Sequence, residues 1–173
     1  MVGLIDCRFL LIERNPYMRQ IVEAMLRGYG ARMITARDSS AEALHDLRTK
    51  SFDVIFTEYL LPDMDGAELI FTLRRTNCRN RFTPVILLTS FTSRPRVERA
   101  RDSGVTEVCA KPVAPRELFR KLVAVVDYPR PYIESAGYVG PDRRRRRDAT
   151  YAGEERRAVE QAPAAARTAI IAR

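Results

Sequence analysis

The chain has 173 residues, 46% of them apolar, enough for one packed domain plus an appendage and too many for a wholly disordered polypeptide. Its formal net charge of +8 favours an anionic partner, yet all but three of the 30 basic residues are arginine, so clustering says more than richness. No apolar run reaches the roughly 18 residues of a membrane helix, and the start MVGLIDCRFLLIERN lacks the basic lead-in and small-residue cleavage site of a secretory leader. Cys7, Cys78 and Cys109 are too widely spaced for a zinc or disulfide framework and read as small hydrophobes in a reducing compartment. The expectation is a cytoplasmic protein with no membrane span.

Apolar runs alternate with amphipathic stretches. RFLLI (8–12) predicts a strand, and residues 16–29 a helix capped by Asn15 with proline at its first position. RMITA (32–36) is a second strand, followed by a helix opened by Ser39 or Ser40 with Ala43, Leu44 and Leu47 on one face. DVIFT (53–57) is the third strand, and residues 66–76 carry Leu69, Ile70 and Leu73 at helical spacing. PVILLT (84–89) is the fourth strand, before a short polar helix over 93–103 that Gly104 ends. VTEVCA (105–110) is the fifth, and residues 115–126 form a last helix facing inward through Leu118, Leu122, Val125 and Val126. Five strands each followed by a helix imply an α/β, doubly wound parallel sheet, and right-handed crossovers leave the flavodoxin-like order 2-1-3-4-5 as the best topology.

The character changes after Asp127. The segment DYPRPYIESAGYVGPDRRRRRD shows no strong periodicity, and the Ala-rich stretch beyond Gly153 contains Pro163. The expected organisation is a domain over 1–127 and an irregular, arginine-rich extension over 128–173. That extension should be largely disordered in free solution, for want of apolar anchors.

In a sheet of this order the site lies at the carboxyl ends of the strands. Glu13 and Arg14 follow the first strand, Glu58 the third, Thr89 ends the fourth and Lys111 follows the fifth. These residues, with LIERNP, the LPDMDG loop, VILLTS and AKP, resemble the CheY-like receiver domain of bacterial response regulators over about 8–127. The resemblance implies a phosphoryl-accepting aspartate where Glu58 stands and two acidic residues where Glu13 and Arg14 stand, which would help to hold Mg²⁺. It also implies that Thr89 and Lys111 bind phosphoryl oxygens and move the face of helix 4, strand 5 and helix 5, where protein partners dock.

The acidic half of that pattern is altered. Arg14 puts a permanent cation near the metal position, and Glu58 extends the carboxylate by about 1.5 Å. Val108 occupies the position, three before the lysine, where the family often has an aromatic residue. Two readings stand side by side: Arg14 and Lys111 flank Glu58 in a metal-free ion cluster, or the site has drifted into surface salt bridges of small value. Neither supports regulated phosphorylation, so we expect a pseudo-receiver with no catalytic residue, no metal and no cofactor.

The tail carries YVGPDRRRRRD. Asp142 and Asp148 bracket Arg143, Arg144, Arg145, Arg146 and Arg147. A solvated basic linker is the bland alternative, and the flanking acids argue against nucleic acid. Arginine can fork onto guanine O6/N7 or phosphate and stack on a purine, while a carboxylate accepts from guanine N1–H and N2–H. The Arg-x-x-Asp spacing from Arg145 to Asp148 is one that known cyclic di-GMP sites use. The combination resembles the CheY-like cyclic-di-GMP effector (Cle) proteins, which bind that nucleotide through an arginine-rich segment and act on the flagellar motor switch or on adhesion machinery. This predicts a motility-type signalling adaptor that takes cyclic di-GMP on residues 142–148. Its protein target would dock through the 4-5-5 face, where Arg94, Arg96, Arg99 and Arg101 favour an acidic segment. The alternative is a ligand-independent pseudo-receiver adaptor in a two-component phosphorelay, with a histidine kinase among its partners. His45 lies far from the crevice and no nucleophile–base pair is visible, which argues against an enzyme.

Overall fold

A computed structural model describes residues 4–143. A 3-10 turn, Leu4–Asp6, leads into five β/α pairs. These are β1 (Arg8–Ile12) and α1 (Pro16–Gly28), β2 (Met33–Arg37) and α2 (Ser40–Thr49), β3 (Val54–Glu58) and α3 (Gly66–Arg75), β4 (Val85–Thr89) and α4 (Arg94–Asp102), and β5 (Glu107–Ala110) and α5 (Pro115–Val126). All strands are parallel, in the order β2-β1-β3-β4-β5. The expected fold is the observed one.

The strand alternation builds two cores. Phe9, Leu11, Phe56, Ile86 and Leu88 face α1 and α5, whereas Leu10, Ile12, Ile55, Val85 and Leu87 face α2, α3 and α4. Both faces of the three central strands are covered, which is why β1, β3 and β4 read as continuous apolar runs. Asn15 caps α1, its side chain accepting from the amides of Tyr17 and Met18. Helix α4 buries only Ala100, in keeping with its polar sequence.

The largest departure from the sequence reading follows α5. Residues expected to be irregular form an antiparallel hairpin, β6 (Tyr132–Ser135) and β7 (Tyr138–Pro141). It packs against the amino-terminal ends of β4 and β5, opposite the strand ends that carry the site, and it buries Tyr132, Ile133 and Val139. Two glycines allow this approach. Gly104 has φ +96°, and a Cβ there would lie 2.5 Å from the Val139 carbonyl; a Cβ on Gly140 would lie 2.7 Å from the Gly104 Cα.

A buried cation fastens the hairpin. Arg74 of α3 is fully buried, donating from Nε and Nη2 to the Gly104 carbonyl and from Nη1 to the Arg81 carbonyl at 2.6 Å. Its Nη2 also reaches the Tyr132 hydroxyl at 3.2 Å. Burial pushes the Arg74 guanidinium down from its ordinary value. Arg81 pairs with Glu134 of the hairpin. The packed unit therefore extends past residue 127, the expected boundary, to Pro141. Four-residue strands are too short to show a period, and three apolar anchors suffice because polar contacts complete the fastening.

Candidate functional site

Glu13, Glu58, Thr89 and Lys111 converge at the carboxyl ends of β1, β3, β4 and β5. Lys111 lies between the two carboxylates, its Nζ donating to Glu13 Oε2 at 2.6 Å and to Glu58 Oε2. The second oxygens are also occupied. Glu13 Oε1 accepts from the Asn15 amide at 2.9 Å, and Glu58 Oε1 from the Tyr59 amide at 2.6 Å. The three side chains are only 1%, 10% and 11% exposed for Glu13, Glu58 and Lys111, so this is no solvent-screened surface pair. Thr89 is buried, and its hydroxyl accepts from the Phe91 amide.

Arg14 does not join them. It is exposed and forms no ion pair or side-chain hydrogen bond among the described residues. Of the two readings, the one in which Arg14 and Lys111 both flank Glu58 is corrected: among the described residues Lys111 alone pairs with Glu58, and it bridges Glu58 to Glu13. The reason is positional. Residue 13 leaves β1 on the crevice side, so its neighbour falls on the solvent side.

The LPDMDG loop is held at several points. Asp63 accepts from the amides of Ser40 and Ala41 at the start of α2. Burial opposes the charge on Asp63, but these hydrogen bonds outweigh it and hold its carboxyl below the ordinary range. Asp65 caps α3 through the Glu68 amide and pairs with Arg99 of α4 at 2.7 Å. Gly66 is required by space, since a Cβ would lie 2.2 Å from the Glu58 carbonyl oxygen.

Helix α4 does not present the free basic face that its sequence suggests. Arg94 pairs with Glu98, Arg99 with Asp65 and Arg101 with Asp102. Arg96 folds back so that its Cζ lies 3.9 Å from the centre of the Phe91 ring. Sequence periodicity could not reveal that all four cations are engaged within the domain.

Of the tail residues, Asp142 and Arg143 fall within the described part. Arg144, Arg145, Arg146, Arg147 and Asp148 lie outside it. The Asp142 amide donates to the Pro131 carbonyl, and its own carbonyl accepts from Arg130. Arg143 pairs with Asp102 at 3.0 Å and stacks 4.0 Å above the Tyr138 ring. Beside it a groove of about 200 Å³ runs between α4, β5, α5 and the hairpin. Arg130 reaches into it, anchored to the Thr106 carbonyl and 3.5 Å from Glu107, which also holds Lys121 at 2.8 Å. Nothing in the sequence around Arg130 marks it as part of a site, because only the hairpin brings it to β5.

The family model of the response regulator receiver domain matches residues 9–123. The chemotaxis protein CheY of Pseudomonas aeruginosa is 26% identical over 120 residues, spanning 69% of this chain and 96% of its own length. CheY-3 of Vibrio cholerae is 28% identical over 117 residues, spanning 68% and 89%. Among solved structures, CheY4 of Vibrio cholerae aligns with a TM-score of 0.64 at 28% identity, covering 69% of this chain and 98% of its own. The receiver domain of a sensor histidine kinase from Pseudomonas aeruginosa, solved with a magnesium ion coordinated in its active site cleft, aligns with a TM-score of 0.62 at 30% identity, covering 68% and 94%. The family segment ends inside α5, so the hairpin and the arginine run lie beyond it. From residue 9 to residue 123, this chain belongs to the response regulator receiver domains.

Proposed function

We propose that the protein is a non-phosphorylated, CheY-like signalling adaptor of the cytoplasm. It takes cyclic di-GMP on its arginine-rich tail and docks a protein target through α4, β5 and α5. The observation that carries the first half is the Glu13–Lys111–Glu58 bridge. An ammonium stands between two carboxylates whose remaining oxygens are already hydrogen-bonded, and an arginine follows Glu13 where a second acid would be needed. This donor set does not fit a divalent cation, which wants several free, negatively charged oxygens. Without the metal, and with the carboxylate one methylene longer, in-line phosphoryl transfer loses both its charge neutralisation and its alignment. The bridge would hold the receiver in one state, and its input would arrive at the tail. As an adaptor it needs neither a catalytic residue nor a cofactor.

Incubation with Mg²⁺ and a small acyl phosphate should leave the intact mass unchanged. A labile gain of one phosphoryl group on Glu58 would overturn this half of the proposal.

The second half rests on the sequence of 142–148. Charge-assisted contacts contribute about 1.5–3 kcal/mol each, so three or four from the arginines can outweigh the ordering of a handful of residues. The aspartate gives the test its sign. A carboxylate repels phosphate but accepts from the guanine edge, so Asp148→Ala should weaken cyclic di-GMP binding in calorimetry and strengthen binding to a plain polyanion. Arg145→Ala should weaken both. Nucleotide affinity unchanged or raised in Asp148→Ala would reduce the run to a basic patch.

A ligand-independent adaptor in a two-component phosphorelay draws on one observation, that the kinship ends inside α5 and excludes the tail. Titration of the wild-type chain with the nucleotide separates the two readings. The flagellar motor switch is the proposed target on the first, a histidine kinase on the second.

A further inference from the structure

We infer that the β6–β7 hairpin is a strap that sets the carboxyl end of α4, with Arg143 as its releasable catch. Its consequence rests on the reading of α4, β5 and α5 as the docking face, since the strap would regulate that face from within the chain.

Helix α4 is the helix that needs support. Of its nine residues only Ala100 enters the core, with a single methyl group, whereas α3 contributes Ala67, Leu69, Ile70 and Leu73. Helices shorter than about 12 residues are marginal on their own in water. Ser93 gives α4 no side-chain cap. Arg99 and Arg96 tie it to Asp65 and Phe91, residues that follow β3 and β4.

The other end of α4 is seated on the hairpin. The turn that closes the helix passes through Gly104, whose carbonyl accepts from Arg74 Nε and Nη2. Strand β7 lies directly against that turn, with room for no side chain between Gly140 and Gly104. The hairpin can act as a fixed wall because its own anchors lie elsewhere. The Tyr132 hydroxyl meets Arg74, Thr106 and the Thr83 carbonyl, and the Tyr132 ring packs edge-on against Phe82 at 5.5 Å. Arg130 donates to the Thr106 carbonyl and Arg81 pairs with Glu134. None of these partners belongs to α4, so the wall stands without the helix.

The catch is a weaker contact. Arg143 Nη2 pairs with Asp102 Oδ1 at 3.0 Å while its guanidinium stacks on Tyr138. Asp102 is the last residue of α4, where a carboxylate meets the negative end of the helix dipole, and Arg143 offsets that charge. The two side chains are 35% and 52% exposed, so water and salt weaken the pair. An anion that drew Arg143 away from Asp102 would open the catch and leave the buried anchors intact.

The test is amide hydrogen exchange by NMR on the full chain, without nucleotide or target, so that failure of either binding reading leaves it decisive. The reporters are the amides of Ser103, Gly104 and Val105, which donate to the carbonyls of Arg99, Arg101 and Ala100. Gly140→Ala, which forces β7 off the turn, should speed their exchange about tenfold while α2 is unchanged. Arg143→Ala should speed it about threefold with Ile133 of the hairpin still protected. Arg94→Ala, which breaks the Arg94–Glu98 pair at the far end of α4, should leave the reporters at the wild-type rate. If Gly140→Ala also exposes β1 and β3, the fold itself has failed and Arg143→Ala alone decides. Wild-type rates in Arg143→Ala would overturn the catch, and wild-type rates in both variants the strap. Equal acceleration by Arg94→Ala and Arg143→Ala would reduce the effect to helix charge and overturn the inference.

Discussion

Replacing Lys111 with methionine should cost about 3–5 kcal/mol of folding stability, because removing one partner of a buried ion pair leaves the other charge uncompensated. Here two carboxylates would be left, both almost inaccessible and both aimed at the vacated ammonium. In a domain of this size each kcal/mol moves the thermal midpoint by roughly 2–4 °C, so a fall of about 10 °C should be visible by circular dichroism. The sign of the second substitution identifies the cause. Adding Glu58→Gln to Lys111→Met removes one stranded charge and should recover much of the loss, whereas Glu58→Gln alone should destabilise. If Lys111→Met stays within 1 kcal/mol of wild type, the bridge is not what holds the crevice together.

The second large effect belongs to the opposite end of the sheet. Arg74→Met keeps an unbranched apolar stem, shorter than that of arginine, and strands the carbonyls of Gly104 and Arg81, which lose their donors. Unpaired buried acceptors cost about 1–3 kcal/mol each, and relief from burying a charge offsets part of that, so a net loss of about 2–4 kcal/mol is expected. The loss should be local before it is global. Hydrogen exchange should speed up at Ile133 and Val139 in the hairpin while the amides of β1 and β3 stay protected. Unchanged protection in the hairpin would show that its apolar anchors suffice without the cation.

The five β/α pairs were legible in the sequence because each of their signals is repetitive. A strand covered on both faces must be apolar at nearly every position, and a covering helix must be apolar at every third or fourth. The crevice was legible for a related reason, since residues that follow parallel strands are brought to one edge by topology alone. What the sequence could not disclose was direction. Glu13 and Arg14 are neighbours in the chain, yet only the first turns inward. The four arginines of α4 look like an open basic face until Glu98, Asp65, Phe91 and Asp102 are found beside them. The hairpin was missed because its stability resides in contacts between distant residues, such as Arg74 with Tyr132 and Gly104 with Val139, that no local pattern records.

The Lys111 bridge also bears on time. In a receiver that is phosphorylated, the mark outlasts the event that placed it and decays at the rate of its own hydrolysis, so the protein carries a short memory of its input. On the proposed reading, a receiver closed by an internal ammonium holds no such mark. On the proposed reading its state follows the nucleotide by mass action, relaxing as fast as the ligand dissociates. The cell would then set the duration of the output through the enzymes that make and destroy the nucleotide, and the protein would report the present level of its signal rather than its recent past.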